Sequence, residues 1–299
     1  MSIRRDDAGC GEAEPTDEGL HDFVARFAYR RGRHGAVMRS RPVDRDRPTV
    51  VLIQPHPDDA ALSVGASLLQ VTNPLCVVTL YSAALDDADT QHRAAEDRNF
   101  VRQMDASIVH LRARERTSLG SPRTAGEVDA AMAGINDALD ASTDAAFLAP
   151  AGVARHVDHL AAHEVGRRLG PVAYWEDVAF WGIYGASVDD RVLFTERHQT
   201  WLASMVLVGV DVSAHIEDKA TLLACYPSQS REVWRPIRYH WTAARELGRS
   251  GYCERFFAAA AGLDAFARLI GADLEDGPDL QYGTAKLTTR WATIGRELR

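Results

Sequence analysis

From Thr49 onward, short apolar runs alternate with longer stretches of helical period. TVVLIQ (Thr49 to Gln54) and LCVVTLY (Leu75 to Tyr81) are apolar at nearly every position, β-branched, and too short for helices. That pattern predicts strands buried on both faces. Ser107 to Leu111, Ala145 to Leu148 and Val172 to Trp175 predict three more strands. Between them, Ala60 to Gln70, Gln91 to Met104, Gly126 to Leu139 and Leu160 to Leu169 read as helices. Buried strands joined by amphipathic helices imply a fold of the α/β class. The expected architecture is a doubly wound, mostly parallel Rossmann-like sheet with helices on both faces, over about residues 45 to 180.

The flanks are less regular. Residues 1 to 16 are polar and aperiodic, and Asp17 to Arg31 predicts a helix with Leu20, Phe23, Val24, Phe27 and Ala28 on one face. PVDRDRP, residues 42 to 48, is a charged connector. Past the core, Trp201 to Val212 holds a strand-like run, Ser213 to Cys225 reads as a helix with Ser213 as its cap, and Tyr252 to Ile270 reads as mainly helical. The expected organisation is a tail and helix over 1–44, then one domain over 45–299. In that domain a smaller, mixed C-terminal portion from about residue 181 closes over the site.

Composition narrows the function. The 299 residues are 46% hydrophobic, enough for one large core without disulfides. A formal charge of −8 makes nucleic acid and anionic membranes poor partners. Arg30-Arg31-Gly32-Arg33 and Arg167-Arg168 are short and read as solvated faces. Cys10, Cys76, Cys225 and Cys253 are scattered and form no CxxC pair, so nothing calls for an oxidising compartment. The N-terminus carries no apolar leader and no stretch reaches membrane-spanning length, so the expected location is the cytoplasm. GxGxxG, Walker A and GxSxG patterns are absent, which leaves nucleotide and serine-hydrolase chemistry without a motif.

In an open α/β sheet, ligands bind beyond the carboxyl ends of the strands. Pro55-His56-Pro57-Asp58-Asp59 follows the first predicted strand, and Ala149 to His159, ending His156-Val157-Asp158-His159, follows the fourth. His56, Asp59 and His159 make a set of two histidines and one carboxylate. Catalytic zinc takes three such ligands and keeps a position open. The same set suits Fe2+ or another divalent ion. Asp58, adjacent to a ligand and not needed as one, is placed to be the general base. His156, one helical turn before His159, is placed to stabilise an oxyanion and protonate a leaving amine. Asp158 can orient a histidine from behind. Each motif alone has a plainer reading: aspartate is a good helix N-cap, and HVDH fits the start of a surface helix. Together, at two strand ends, they favour catalysis. His163 is a spare ligand at helical spacing, and more simply a packing residue.

PHPDDAALSVG followed by APAGVARHVDH resembles the LmbE/PIG-L superfamily of zinc-dependent N-deacetylases, over about residues 48 to 260. The resemblance implies that His56, Asp59 and His159 hold zinc, that Asp58 is the base, and that His156 serves the oxyanion and proton transfer. Arg93 through Glu96 resembles the family's RxxE helix, whose arginine reaches the sugar. Tyr174 through Asp177 resembles a YxED segment, and Lys219 with Tyr226 through Gln229 a K…YxSQ stretch of one bacterial, small-molecule-tailoring branch. Arg93, Arg155, Trp175, Glu176 and Asp177 are therefore candidate substrate contacts, and Phe180, Trp181 and Tyr184 candidate sugar-stacking or lid aromatics. Ala60 stands where many relatives carry glutamate, and Ala154, Arg155 and Val157 depart from the family around HxDH. These changes bear on the substrate and leave the metal and base residues intact.

The implied activity is hydrolysis of an N-acyl, foremost N-acetyl, amide on an amino sugar or glycosylated small molecule. The implied partner is that substrate, and the chain's oligomeric state, a homo-oligomer included, stays open. An amidase acting on a thiol-sugar conjugate and a non-catalytic binding protein on the same fold are the alternatives. A large acyl pocket would mark the first, and a failure to bind metal the second.

Overall fold

The strands β1 (Thr49–Gln54), β2 (Leu75–Thr79), β3 (Ser107–His110), β4 (Ala145–Pro150) and β5 (Ala173–Trp175) lie where the apolar runs place them. The computed structural model describes residues 42–84, 86–116, 120–139, 143–152, 156–178, 194–228, 234–282 and 285–294. The expected helix over Asp17 to Arg31 lies outside them, as do Cys10, Arg155, Phe180, Trp181, Tyr184 and Gln229. β1 pairs in parallel with β2 on one side and β4 on the other, β2 with β3, and β4 with β5. This is the predicted doubly wound half.

The sheet does not stop there. Residues after 200 add β6 (Met205–Asp211), β7 (Cys253–Ala259), β8 (Ala272–Asp276) and β9 (Thr289–Ile294), and the nine strands of this sheet among the described residues run in the order β3-β2-β1-β4-β5-β7-β6-β9-β8. β7 pairs antiparallel with both β5 and β6, and β9 joins β6 in parallel and β8 antiparallel. β7 corrects the helical reading of Tyr252 to Ile270. CERFFAA is buried at every position but its last, so it has no alternation to separate it from a buried helix. Pairing on both edges decides the matter, and only Leu263–Ile270 is α-helical. Ser213 likewise starts no capped helix. It opens a 3-10 turn ahead of Ile216–Leu223, and its hydroxyl accepts the Tyr252 N–H at 2.9 Å.

The helix after β1 bears on the site. Read from sequence as one helix over Ala60 to Gln70, it is two pieces, α1 (Asp59–Ser63) and α2 (Gly65–Leu68), broken at Val64. A break frees backbone groups, and buried ones must be satisfied. Here the C-terminal half supplies the partners. Lys219 Nζ donates to Ala61 O at 3.0 Å, and the His240 ring lies 3.1 Å from Leu62 O. The Glu254 carboxylate accepts from Ala66 N at 3.1 Å and Ser67 N at 2.7 Å. Lys219 and Glu254 pair at 2.5 Å with no solvent exposure, which fixes Lys219 as structural. Lys219→Met leaves Glu254 a buried, uncompensated carboxylate, so it should cost about 3–5 kcal/mol in denaturant unfolding. A loss under ~1 kcal/mol, the worth of a surface pair, would show that the brace contributes little.

α3 (Asp87–Gln103) begins ahead of the predicted Gln91, because the Asp86 carboxylate caps it by accepting from Asp89 N. α4 (Ala125–Ala138) starts with a full capping box between Thr124 and Glu127. α5 (Val157–Leu169) starts at Val157 rather than Leu160, with the His156 side chain as its cap. Among the described residues, no helix is long and apolar enough to cross a membrane.

Candidate metal centre

The winding of the sheet reverses between β1 and β4, and an α/β sheet opens a crevice at such a point. Both motifs arrive there, His56 to Asp59 from the end of β1 and His156 to His159 from the end of β4. Asp58 sits at the N-cap position of α1 with φ 95°, the left-handed region that aspartate tolerates better than most residues. Its side chain makes no capping hydrogen bond, so the plain N-cap reading of HPDD fails. The turn sends Asp59 back toward His56, whose backbone N–H donates to Asp59 Oδ2 at 2.8 Å.

Three donor atoms converge. His56 Nδ1 lies 3.2 Å from His159 Nε2 and 3.4 Å from Asp59 Oδ2, and His159 Nε2 lies 3.6 Å from that same oxygen. Tetrahedral ligands at metal distances near 2.0–2.1 Å stand roughly 3.3 Å apart, so this triangle has the size of one face of such a site. Behind each ring sits a buried carboxylate. His56 Nε2 faces Asp158 Oδ2 at 3.1 Å, and His159 Nδ1 is bonded to Asp177. A carboxylate on the outer nitrogen fixes the tautomer and turns the other lone pair inward.

The electrostatics agree with a cation site. Burial alone would lower the His56 ring, but Asp158 and Asp59 outweigh it and raise it to about 10. Burial works against the Asp59 carboxylate, yet His159 and His56 hold it at about 2. Burial pushes Asp177 up, against the pull of His159. The surplus of buried carboxylate charge that raises His56 is charge a divalent ion would neutralise. Burial and the Asp59 carboxylate push Asp58 well above the usual carboxylate range, against Arg93 and His56, the direction a base working near neutrality needs.

Among the described residues, two overlapping trios can hold an ion: His56, His156 and His159, and Asp59, His159 and Asp177. Their hydrogen bonds sort them. Asp177 engages Nδ1, the outer nitrogen of His159. The His156 ring centroid is 4.8 Å from those of both His56 and His159, and its Nδ1 accepts the Asp158 N–H at 3.3 Å. Burial and the two neighbouring rings push His156 down to about 3, which favours a neutral ring. With Nδ1 taking the Asp158 N–H, His156 Nε2 is placed to donate, and the converging donors of His56, Asp59 and His159 form the candidate ligand set.

Other expectations need correction. Trp175 has no exposed surface; it packs in the core with Val208 and Phe256 and cannot stack on a sugar. Glu176 turns toward the C-terminal strands, accepting from Tyr282 Oη at 2.8 Å beside Arg255. Asp177 is spent on His159, and the histidine that Asp158 faces is His56. Arg93 is buried and paired with Glu115, and its charge acts on Asp58. His163 is a packing residue, with Nδ1 3.1 Å from Pro150 O and its ring against Tyr174 and Trp201.

Two groups escaped sequence reading. Buried Asp97 collects Gln54 Nε2, Thr79 Oγ1 and Tyr226 Oη at 3.1, 2.8 and 2.6 Å, and Gln54 Oε1 in turn holds Ala60 N at 3.1 Å, pinning the turn after Asp59. Arg123 contacts Asp158. Buried polar residues on three separate elements leave no local signature. Only the capping pattern beside Arg123 was readable.

No family model matches the chain. The 2′-N-acetylparomamine deacetylase of Streptomyces fradiae is 29% identical over 300 residues, covering 83% of this chain and 98% of that enzyme. Among solved structures, A40926 pseudoaglycone deacetylase superposes with a TM-score of 0.50 at 22% identity, over 71% of this chain and 97% of that one. N,N′-diacetylchitobiose deacetylase from Pyrococcus horikoshii gives 0.47 at 15% identity, over 85% and 97%.

Proposed function

We propose that this chain, an N-deacetylase of the LmbE/PIG-L type, hydrolyses the N-acetyl amide of an amino sugar on a glycosylated small molecule, with zinc held by His56, Asp59 and His159. The observation that carries the reading is the triangle of His56 Nδ1, Asp59 Oδ2 and His159 Nε2, each histidine backed by its own carboxylate. Zinc supplies a water of lowered pKa and polarises the amide carbonyl. The chain's residues do the rest. Asp58, free of any capping bond and with a raised affinity for protons, takes the proton from the attacking water. His156 presents Nε2–H to the carbonyl oxygen as it gains charge. A neutral ring is a weak acid, so the proton Asp58 has gained is the one the leaving amine needs. This shifts the proton-transfer role expected of His156 toward Asp58. Arg93, whose charge bears on Asp58, is the candidate to meet the substrate's polar groups.

The test is acetate and amine release from a panel of N-acetylated amino sugars and glycosides, with 2′-N-acetylparomamine as the first member. Release should stop with chelator and return with stoichiometric zinc. Chelator-insensitive release would remove the metal from the mechanism. No release from a chain that binds one zinc would move the acyl group or sugar elsewhere. His156→Ala should lower kcat by ~10²–10³ with zinc content unchanged, the loss typical of one oxyanion donor. If KM rises instead and kcat holds, His156 binds substrate without serving the oxyanion.

A further inference from the structure

Asp158 has no solvent exposure, and its two oxygens have separate tasks. Oδ2 faces His56 Nε2 at 3.1 Å and accepts the backbone N–H of Arg116 at 2.9 Å. Oδ1 accepts from Arg123 Nε at 2.8 Å and forms an ion pair with Nη2 at 2.7 Å. Arg116 meets Asp158 only through its backbone in these bonds; its guanidinium goes to Glu127 at 2.7 Å. Arg123 is itself held on every side. Nη1 reaches Glu127 at 3.0 Å, Nη2 also reaches Arg114 O at 2.5 Å, and the guanidinium lies over the Tyr81 ring at 4.2 Å from its centroid. That ring stands 6.3 Å from the His56 ring.

We infer that Arg123 is a positioning residue of the metal centre: by occupying one oxygen of Asp158 it holds the other against His56 Nε2, so that His56 offers Nδ1 to the cation. The inference rests on the zinc reading given above. The physical need is clear. A fully buried carboxylate requires a counter-charge, and on Asp158 the histidine cannot serve as that charge and also give a neutral ring to a metal. Arg123 supplies it from the segment leading into α4. Its planar fork sets direction as well as charge, which a lysine ammonium does not. Glu127 then has two functions. It closes the capping box with Thr124 and anchors Arg123, so the start of α4 and the orientation of His56 after β1 share one carboxylate.

The experiment is titration of apo-protein with Zn2+ against a chromophoric chelator, with a thermal melt on every variant. Arg123→Met and Arg123→Gln should bind zinc about 10–100-fold more weakly than the parent, the loss typical of removing an outer partner of a metal ligand. Arg123→Lys, which keeps the charge and loses the fork, should fall between. Thr124→Ala removes the hydroxyl from the capping box and keeps the Thr124 N–H on Glu127 and the Arg123–Asp158 pair, so it should lower Tm and weaken zinc far less than the Arg123 variants do. A folded Arg123→Met or Arg123→Gln that binds zinc as tightly as the parent overturns the inference alone. So does Thr124→Ala if it weakens zinc as much as they do, because the effect would then be the stability of α4. A parent that binds no zinc sinks the zinc reading and this inference with it.

Discussion

Asp58→Asn should lower kcat by roughly 10²–10⁴ while leaving one zinc per chain, the range expected for loss of a general base. Asparagine is the better substitution because position 58 has φ 95°, which asparagine adopts at little cost and alanine does not. The backbone turn that aims Asp59 should therefore survive, and metal content should follow Asp59 rather than Asp58. Losing the carboxylate beside Asp59 should weaken zinc modestly, and far less than it lowers kcat, because the converging donors are untouched. The measurement pairs elemental analysis of desalted protein with single-substrate kinetics. Parental kcat in Asp58→Asn would place the base elsewhere. Loss of both zinc and activity would make Asp58 a ligand.

His159→Ala should lose zinc altogether at micromolar metal, and acetate release with it. The ring contributes one of three converging donors and is the partner of Asp177. Without it, Asp177 faces a cavity with its chief favourable charge gone. Its carboxyl, already pushed up by burial, should then hold a proton. Asp59 should rise from about 2, since His159 is the largest of the charges holding it down. Asp177→Asn is the graded control. It keeps the ligand and removes only the group behind it, so zinc should weaken about 10–100-fold and remain bindable. Full zinc stoichiometry in His159→Ala would overturn the ligand set, and His156 beside His56 would become the place to look.

The order of these effects depends on geometry, and the sequence carried only part of it. TVVLIQ and LCVVTLY declare themselves as strands because a parallel strand covered on both faces must be apolar at consecutive positions. HPDD and HxDH stand out because a metal and a base would need those side chains at fixed short spacings beside strand ends. Local pattern was enough for both, and so the doubly wound half and the meeting of His56, Asp59 and His159 beyond it were readable. Where the outcome depended on a distant partner, the pattern was silent or misleading. CERFFAA, followed by an alanine run, reads as helix until β5 and β6 claim both its edges. Ala60 to Gln70 reads as one helix until Lys219, His240 and Glu254, over 150 residues on, satisfy the groups a break exposes. Trp175 looks like a sugar platform until the far strands bury it. The division of labour among the aspartates was equally out of reach, with Asp158 behind His56, Asp177 behind His159 and Arg123 behind Asp158. Residue type and spacing determine which atoms can bind a cation. Which carboxylate stands behind which histidine follows from how the strands pack, because a hydrogen bond at 3 Å is decided by tertiary distance.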